Sequence, residues 1–188
     1  AYAALDGAVT DYSQGTLQPT NLPADLALRG EDGFFTLEAE PSGAAVLTRD
    51  GSFHVDSEGY LAAVDGRRVL DDKGAPLRVG FDDFTVHVDG SITAGDTALG
   101  RVGVVDVADR STLSKSAGNR FIAAAGTALA PASAEVLQGH IETSNVEPIR
   151  ALTELIGLSR YYQAFQKTLE SSDQLDQALT DRVGRIDQ

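Results

Sequence analysis

Residues 139–169, GHIETSNVEPIRALTELIGLSRYYQAFQKTL, decide the fold, because they join a helix-start signal to the longest helical periodicity in the chain. Ile149, Leu152, Leu155, Ile156, Tyr162, Phe165 and Leu169 recur at spacings of three and four, which draws one apolar stripe along a helix. Leu175, Leu179, Val183 and Ile186 continue it after a shift of phase near Ser171 and Ser172. The start is crowded. Ser144 and Glu147 have capping-box spacing, but Pro148 would then remove the first intrahelical bond, so the better reading puts Pro148 at the first helical position. A helix from Pro148 to Ile186 would run roughly 60 Å at 1.5 Å per residue, longer than a small domain is wide. Part of the stripe must therefore meet another helix, in this chain or a neighbour's.

Upstream the texture is that of β-structure: short apolar runs broken by glycine, proline and aspartate. Leu26, Leu28, Phe34, Phe35 and Leu37 surround Gly30 and Gly33, two positions where the backbone can bend. Asp50-Gly51, Asp65-Gly66 and Asp89-Gly90, each flanked by β-favouring residues, predict tight hairpins, and Glu58-Gly59 predicts a fourth turn. No helical pattern long enough for a crossover separates these runs, so an antiparallel meander is expected. Residues 100–107 and Phe121-Ile122 are the last clear strands, joined by a polar connection through residues 111–119. Residues 123–135 read as a loop or linker, after which Val136, Leu137 and Ile141 return as a strand. The expected fold is mainly β with a long C-terminal α-helix: a lead-in over residues 1–16, an antiparallel β-rich body over 17–143, and a coiled-coil-like axial helix over 144–188.

The chain of 188 residues carries a formal net charge of −13. Residues 1–143 hold 10 basic and 21 acidic side chains, so the acidity belongs to the body, which disfavours nucleic acid and anionic lipid as partners. Absence of cysteine removes disulfides, thiolate zinc sites and cysteine nucleophiles. No run of apolar residues is long enough to span a membrane, and no signal peptide is visible. His54, His87 and His140 lack ligand spacing, and the acidic runs at residues 56–59 and 71–74 read as turns rather than calcium loops. No nucleophile elbow or phosphate loop occurs, so neither catalytic, metal nor cofactor residues are assigned and no small-molecule substrate is expected.

Three blocks resemble the bacterial flagellar basal-body rod and hook protein family, particularly its rod branch. Residues 20–30, TNLPADLALRG, with Asp25, Gly30, Gly33, Phe34 and Phe35, are similar to the block T-G-x-P-L-D-x-A-I-x-G-x-G-F-F. Residues 47–53, LTRDGSF, with Arg49, Asp50, Gly51 and Phe53, and then Asp56 and Gly59-Tyr60-Leu61, are similar to its Y-T-R-D-G-x-F and D-x-x-G-x-L hairpins. Gly139, Glu142, Ser144, Asn145 and Val146, with Leu155-Ile156 and Arg160-Tyr161-Tyr162, resemble its G-x-x-E-x-S-N-V junction and following helix. Leu47 and Ala24 replace the usual tyrosine and leucine. The body, without a large insertion between Phe84 and Phe121, fits the proximal-rod type slightly better than hook or distal-rod types.

The resemblance implies a β-rich body on an α-helical core, and an axial structural subunit of the periplasmic rod. It further implies delivery by the flagellar export apparatus without a cleaved signal peptide, and copies of itself and other rod and hook subunits as partners. The family's N-terminal helix has no counterpart before Ala1, so a stripe left exposed and prone to self-association is expected. The alternative from another class is a periplasmic or extracellular β-rich calcium- or sugar-binding module with a helical oligomerisation tail.

Overall fold

A computed structural model describes residues 10–30, 32–41, 43–80, 83–124, 126–146 and 148–183; within the helix, side chains are described for 152–168 and 171. The chain divides into two units, Ala1–Asn145 and Val146–Gln188.

In chain order the strands of the first unit are β1 (Leu17–Pro19), β2 (Leu26–Arg29), β3 (Phe34–Leu37), β4 (Val46–Thr48), β5 (Phe53–Val55), β6 (Leu61–Ala63), β7 (Thr85–Val86) and β8 (Ser91–Ala94). They continue with β9 (Thr97–Arg101), β10 (Val104–Val107), β11 (Leu113–Ser116), β12 (Arg120–Ala123), β13 (Leu129–Pro131), β14 (Glu135–Gln138) and β15 (His140–Glu142). All named pairings are antiparallel. The largest sheet runs β11-β12-β4-β3-β10-β13; around it lie the β7-β8-β9 sheet and the pairs β5-β6, β14-β2 and β1-β15.

Alternation along the central strands explains why Phe34 and Phe35 stand side by side in the sequence: successive side chains leave a strand on opposite faces, and here both faces are covered. Phe35, Leu37 and Val46 join Leu26, Leu28, Phe53, Leu61, Val69, Ile92, Val102 and Val136 in the main core. Phe35 meets Phe53 edge to face at 5.2 Å. Phe34, Leu47, Val107 and Phe121 form a second core on the other face, against which Tyr12 packs with its ring 5.4 Å from that of Phe121. The described part of the lead-in, residues 10–16, thus lays Tyr12 against this second core.

Four turns share one construction. At Asp56–Tyr60, Ala63–Arg67, Asp71–Ala75 and His87–Ser91 the first residue's N–H donates to the carbonyl of the fifth, and its own carbonyl accepts from the glycine fourth in line. These are three-residue loops closed by Gly59, Gly66, Gly74 and Gly90, with φ of 83° to 85°, a conformation that costs glycine little. The tight hairpins expected at Asp65-Gly66 and Asp89-Gly90 are present, with the aspartate as the middle loop residue.

Asp56 adds a side-chain clamp to its turn: one carboxylate oxygen accepts the N–H groups of Glu58 and Tyr60. The Tyr60 N–H, before the other contacts, lowers the Asp56 pKa from its ordinary 3.8, and hydrogen bonds from Ser91 do the same for Asp89. A depressed folded-state pKa contributes stability above the unfolded value that is lost as pH falls through the folded one. Melting temperature is therefore expected to fall below about pH 4, with a shallower fall in Asp56→Ala, read from thermal melts between pH 6 and 2.5.

Four expectations need correction. Asp50-Gly51 is no hairpin, since β4 pairs with β3 and β12 while β5 pairs with β6. Gly51 serves a close approach: its carbonyl accepts from the Leu26 N–H, and a Cβ there would overlap the Leu26 carbonyl oxygen. The polar connection through 111–119 contains a 3₁₀ turn, Arg110–Thr112, and the edge strand β11, whose one buried residue, Leu113, is too weak a signal to read. The 123–135 linker contains β13, another edge strand, exposed at all three residues and ended by Pro131, which suits an edge because proline lacks the N–H a further strand would need. Finally, the body is a meander only locally: Phe35 lies opposite Val104, and Leu47 opposite Phe121.

The second unit is α1 (Pro148–Val183), 36 residues beginning at the proline. Gly157 lies mid-helix with nothing near where a Cβ would stand. Gly157→Ala is expected to stabilise the helix by about 0.5–1 kcal/mol, seen as raised helicity by circular dichroism.

Candidate functional site

Members of the three sequence blocks, Asp25, Gly30 and Gly33 of the first, Arg49 and Gly51 of the second, and Gly139 and Glu142 of the third, meet at one place in the body. Gly139 receives the Thr20 and Asn21 N–H groups on its carbonyl, and its own N–H donates to the Asp25 carbonyl at 2.8 Å. Positive φ at both Asn21 (59°) and Gly139 (70°) permits this exchange. Asp25 also bridges to Ser52, next to the Leu26–Gly51 contact.

Arg49 joins all three. Its Nε donates to Glu142 Oε2 at 3.0 Å, Nη2 to the Gly30 carbonyl at 2.8 Å and Nη1 to the Gly33 carbonyl at 3.3 Å. The Arg49 and Glu142 side chains are only 12% and 10% exposed, so this ion pair is shielded from water in a way that the surface pair Arg29–Glu135 is not. Glu142 Oε1 accepts the Gly15 N–H at 2.8 Å, bringing in the lead-in. Gly15 is itself pressed so close to Thr143 that a Cβ would overlap the Thr143 carbonyl oxygen.

Further bonds stitch the lead-in to the junction. Thr143 donates through N and Oγ1 to the Thr16 carbonyl, each at 2.9 Å. Asn145 Nδ2 lies 3.1 Å from Ser13 Oγ and 3.2 Å from the Ser13 carbonyl. Gln14 bridges the Leu28 carbonyl and the Gly30 N–H. Asp50 accepts from the Ser52 N–H and Asn119 Nδ2, while Phe34, Phe35 and Phe53 are core residues. Gln14 and Gly15 escape the sequence reading because neither periodicity nor a motif singles them out.

On the helix, Leu152, Leu155, Ile156, Tyr162 and Phe165 are between 49% and 64% exposed, and Leu158 and Tyr161 are more exposed still. The side chains of Ile149 and Leu169 lie outside the described residues, as does Glu147 in the junction with Ser144, Val146 and Pro148. Contiguous exposed apolar faces of this extent are rare on monomeric proteins.

A β-rich body, with its flanking segments fastened side by side and a long helix showing an unburied apolar face, defines a structural assembly subunit. Comparison with known proteins gives the family. The family model for the flagellar hook protein FlgE/F/G D1 domain matches residues 27–107, and that for the flagellar basal body rod FlgEFG protein C-terminal matches residues 137–182. The flagellar basal-body rod protein FlgF of Caulobacter vibrioides is 34% identical over 96% of the chain and 74% of its own length. FlgF of Mesorhizobium japonicum is 29% identical over 86% of the chain and 69% of its length, and FlgG of Bacillus subtilis 29% over 90% and 69%. The chain belongs to the flagellar basal-body rod protein family, whose members are structural proteins of the flagellar basal body.

Proposed function

We propose that the chain works mechanically and not catalytically, as an axial subunit that stacks with copies of itself and with other rod and hook subunits and helps transmit torque. Ile149, Leu152, Leu155, Ile156, Tyr162, Phe165 and Leu169 pack against neighbouring helices; the acidic body makes lateral contacts; the flagellar export apparatus delivers the subunit to the periplasmic rod. The observation that carries this reading is the exposed stripe at Leu152, Leu155, Ile156, Tyr162 and Phe165. Leu155 and Tyr162 lie seven residues apart, so the stripe drifts about 20° per heptad on a straight helix and favours a left-handed wrap around its partner.

The test is Leu155→Asp combined with Tyr162→Asp in the full chain, followed by imaging of basal bodies and a swimming assay. Rods are expected to be missing and swimming lost, with the melting of the purified body unchanged. Normal rods with normal swimming would overturn the axial role. The calcium-module alternative gains no support from its loops: Asp56 and Asp71 each spend a carboxylate oxygen on two N–H groups of their own turn, and Asp56 also holds Arg68.

A further inference from the structure

We propose that Glu142 and Arg49 form a mechanical clasp that makes the two flanks of the body move as one and passes force from them into the centre of the six-stranded sheet. The inference rests on the mechanical role proposed above, but its geometry lies wholly within the body. β1 and β15 pair antiparallel, with Leu17 opposite Glu142, Gln18 opposite Ile141 and Pro19 opposite His140. The chain thus enters this ribbon at Thr16 and leaves it at Thr143, at the same end. Force that separates the flanks would unzip the ribbon rung by rung, the weakest way to load a hydrogen-bonded pair.

Glu142 occupies the last rung of the ribbon, just inside the Thr143–Thr16 and Asn145–Ser13 bonds, and adds charged links that resist that route. One carboxylate oxygen holds the entering segment through the Gly15 N–H, while the other holds Arg49. Arg49 directly follows β4, and its remaining nitrogens grip the carbonyls of Gly30 and Gly33, the latter just before β3. β3 and β4 are the two middle strands of the sheet. Opening the ribbon at Glu142 therefore requires its two charge-assisted hydrogen bonds to break together with the neutral bonds beside them. The planar guanidinium suits this role because it bonds in several directions at once, which a lysine ammonium at the end of a flexible stem does not reproduce.

The test pulls single molecules of the full chain in two directions. Absence of cysteine allows specific handles, Ala1→Cys with Gln188→Cys to load the flanks and Ser57→Cys with Asp96→Cys to load two exposed turns, those of the β5-β6 pair and the β7-β8-β9 sheet, outside the β1-β15 ribbon. At matched loading rate, Glu142→Gln is expected to lower the flank rupture force to about half or less and to leave the force between the other handles unchanged, because the neutral amide offers one acceptor oxygen to the two donors, Gly15 N–H and Arg49 Nε, that the carboxylate holds. Arg49→Lys, which retains the charge, is expected to fall in between and serves if Glu142→Gln does not fold. An unchanged flank force, or an equal proportional fall in both directions, would overturn the clasp; the latter would mark the pair as general stabilisation. Both measurements are made on isolated chains, so their failure removes the clasp alone, whereas normal rods in the Leu155 and Tyr162 variant remove the axial role alone.

Discussion

Arg49→Met is expected to lower the unfolding free energy of the body by about 3–5 kcal/mol, the usual cost of removing one partner from a shielded ion pair. The magnitude follows from what remains behind. The Glu142 carboxyl group would remain in a site where its side chain is 10% exposed, holding the Gly15 N–H but without the Arg49 guanidinium. The carbonyls of Gly30 and Gly33 would lose their donors in the same step. Against a typical total stability of about 5–15 kcal/mol, such a loss would leave the body close to unfolding at ordinary temperature. Urea titration of the purified chain checks it, with Arg29→Met as the control. Arg29 and Glu135 are also 3.0 Å apart, but their side chains are 60% and 50% exposed, so water screens the pair and the control is expected to change by no more than about 1 kcal/mol. Combining Arg49→Met with Glu142→Met is expected to cost less than the two single losses added together, because the second change removes the partner that the first leaves unmatched.

Gly51→Ala is expected to cost about 3 kcal/mol or more, at the top of the range for overpacking. A Cβ there would overlap the Leu26 carbonyl oxygen, come within 2.7 Å of its carbon and approach the Phe35 ring at 3.3 Å. The first of these is a backbone atom, so no side-chain rotation relieves the clash; β2 would have to move and surrender the Leu26–Gly51 hydrogen bond of 3.0 Å. Gly66→Ala provides the comparison. Gly66 follows an aspartate as Gly51 does, but nothing lies within 4 Å of its Cβ position and its φ is 84°. Only the left-handed conformation opposes alanine there, at about 1–2 kcal/mol. Denaturant midpoints of the two variants should therefore differ clearly, although the two dipeptides look alike in the sequence.

The pattern Asp-Gly says that a special backbone is present but not which kind, because a turn glycine answers to its own φ and a contact glycine to a strand more than twenty residues away. Arg49 and Glu142 were visible as members of motif blocks, yet their pairing was not, since nothing in either block refers to the other. Gln14 and Gly15 carried no signal at all, being ordinary residues made important by what they touch.

Elements governed by neighbours along the chain were determined by the sequence itself. The start of α1 at Pro148, its apolar stripe and the glycine turns at Gly59, Gly66 and Gly90 depend on residues within a turn or two of each other. Family membership likewise followed from the order of the three blocks. Tertiary structure alone decided the placement of β11 and β13 at the edges of the large sheet, the pairing of β3 with β10, and the junction where Gly15, Gly30, Gly33, Arg49 and Glu142 meet. The physical reason is that strand pairing uses backbone groups common to nearly every residue, so the sequence does not name the partner; burial of the two faces chooses it.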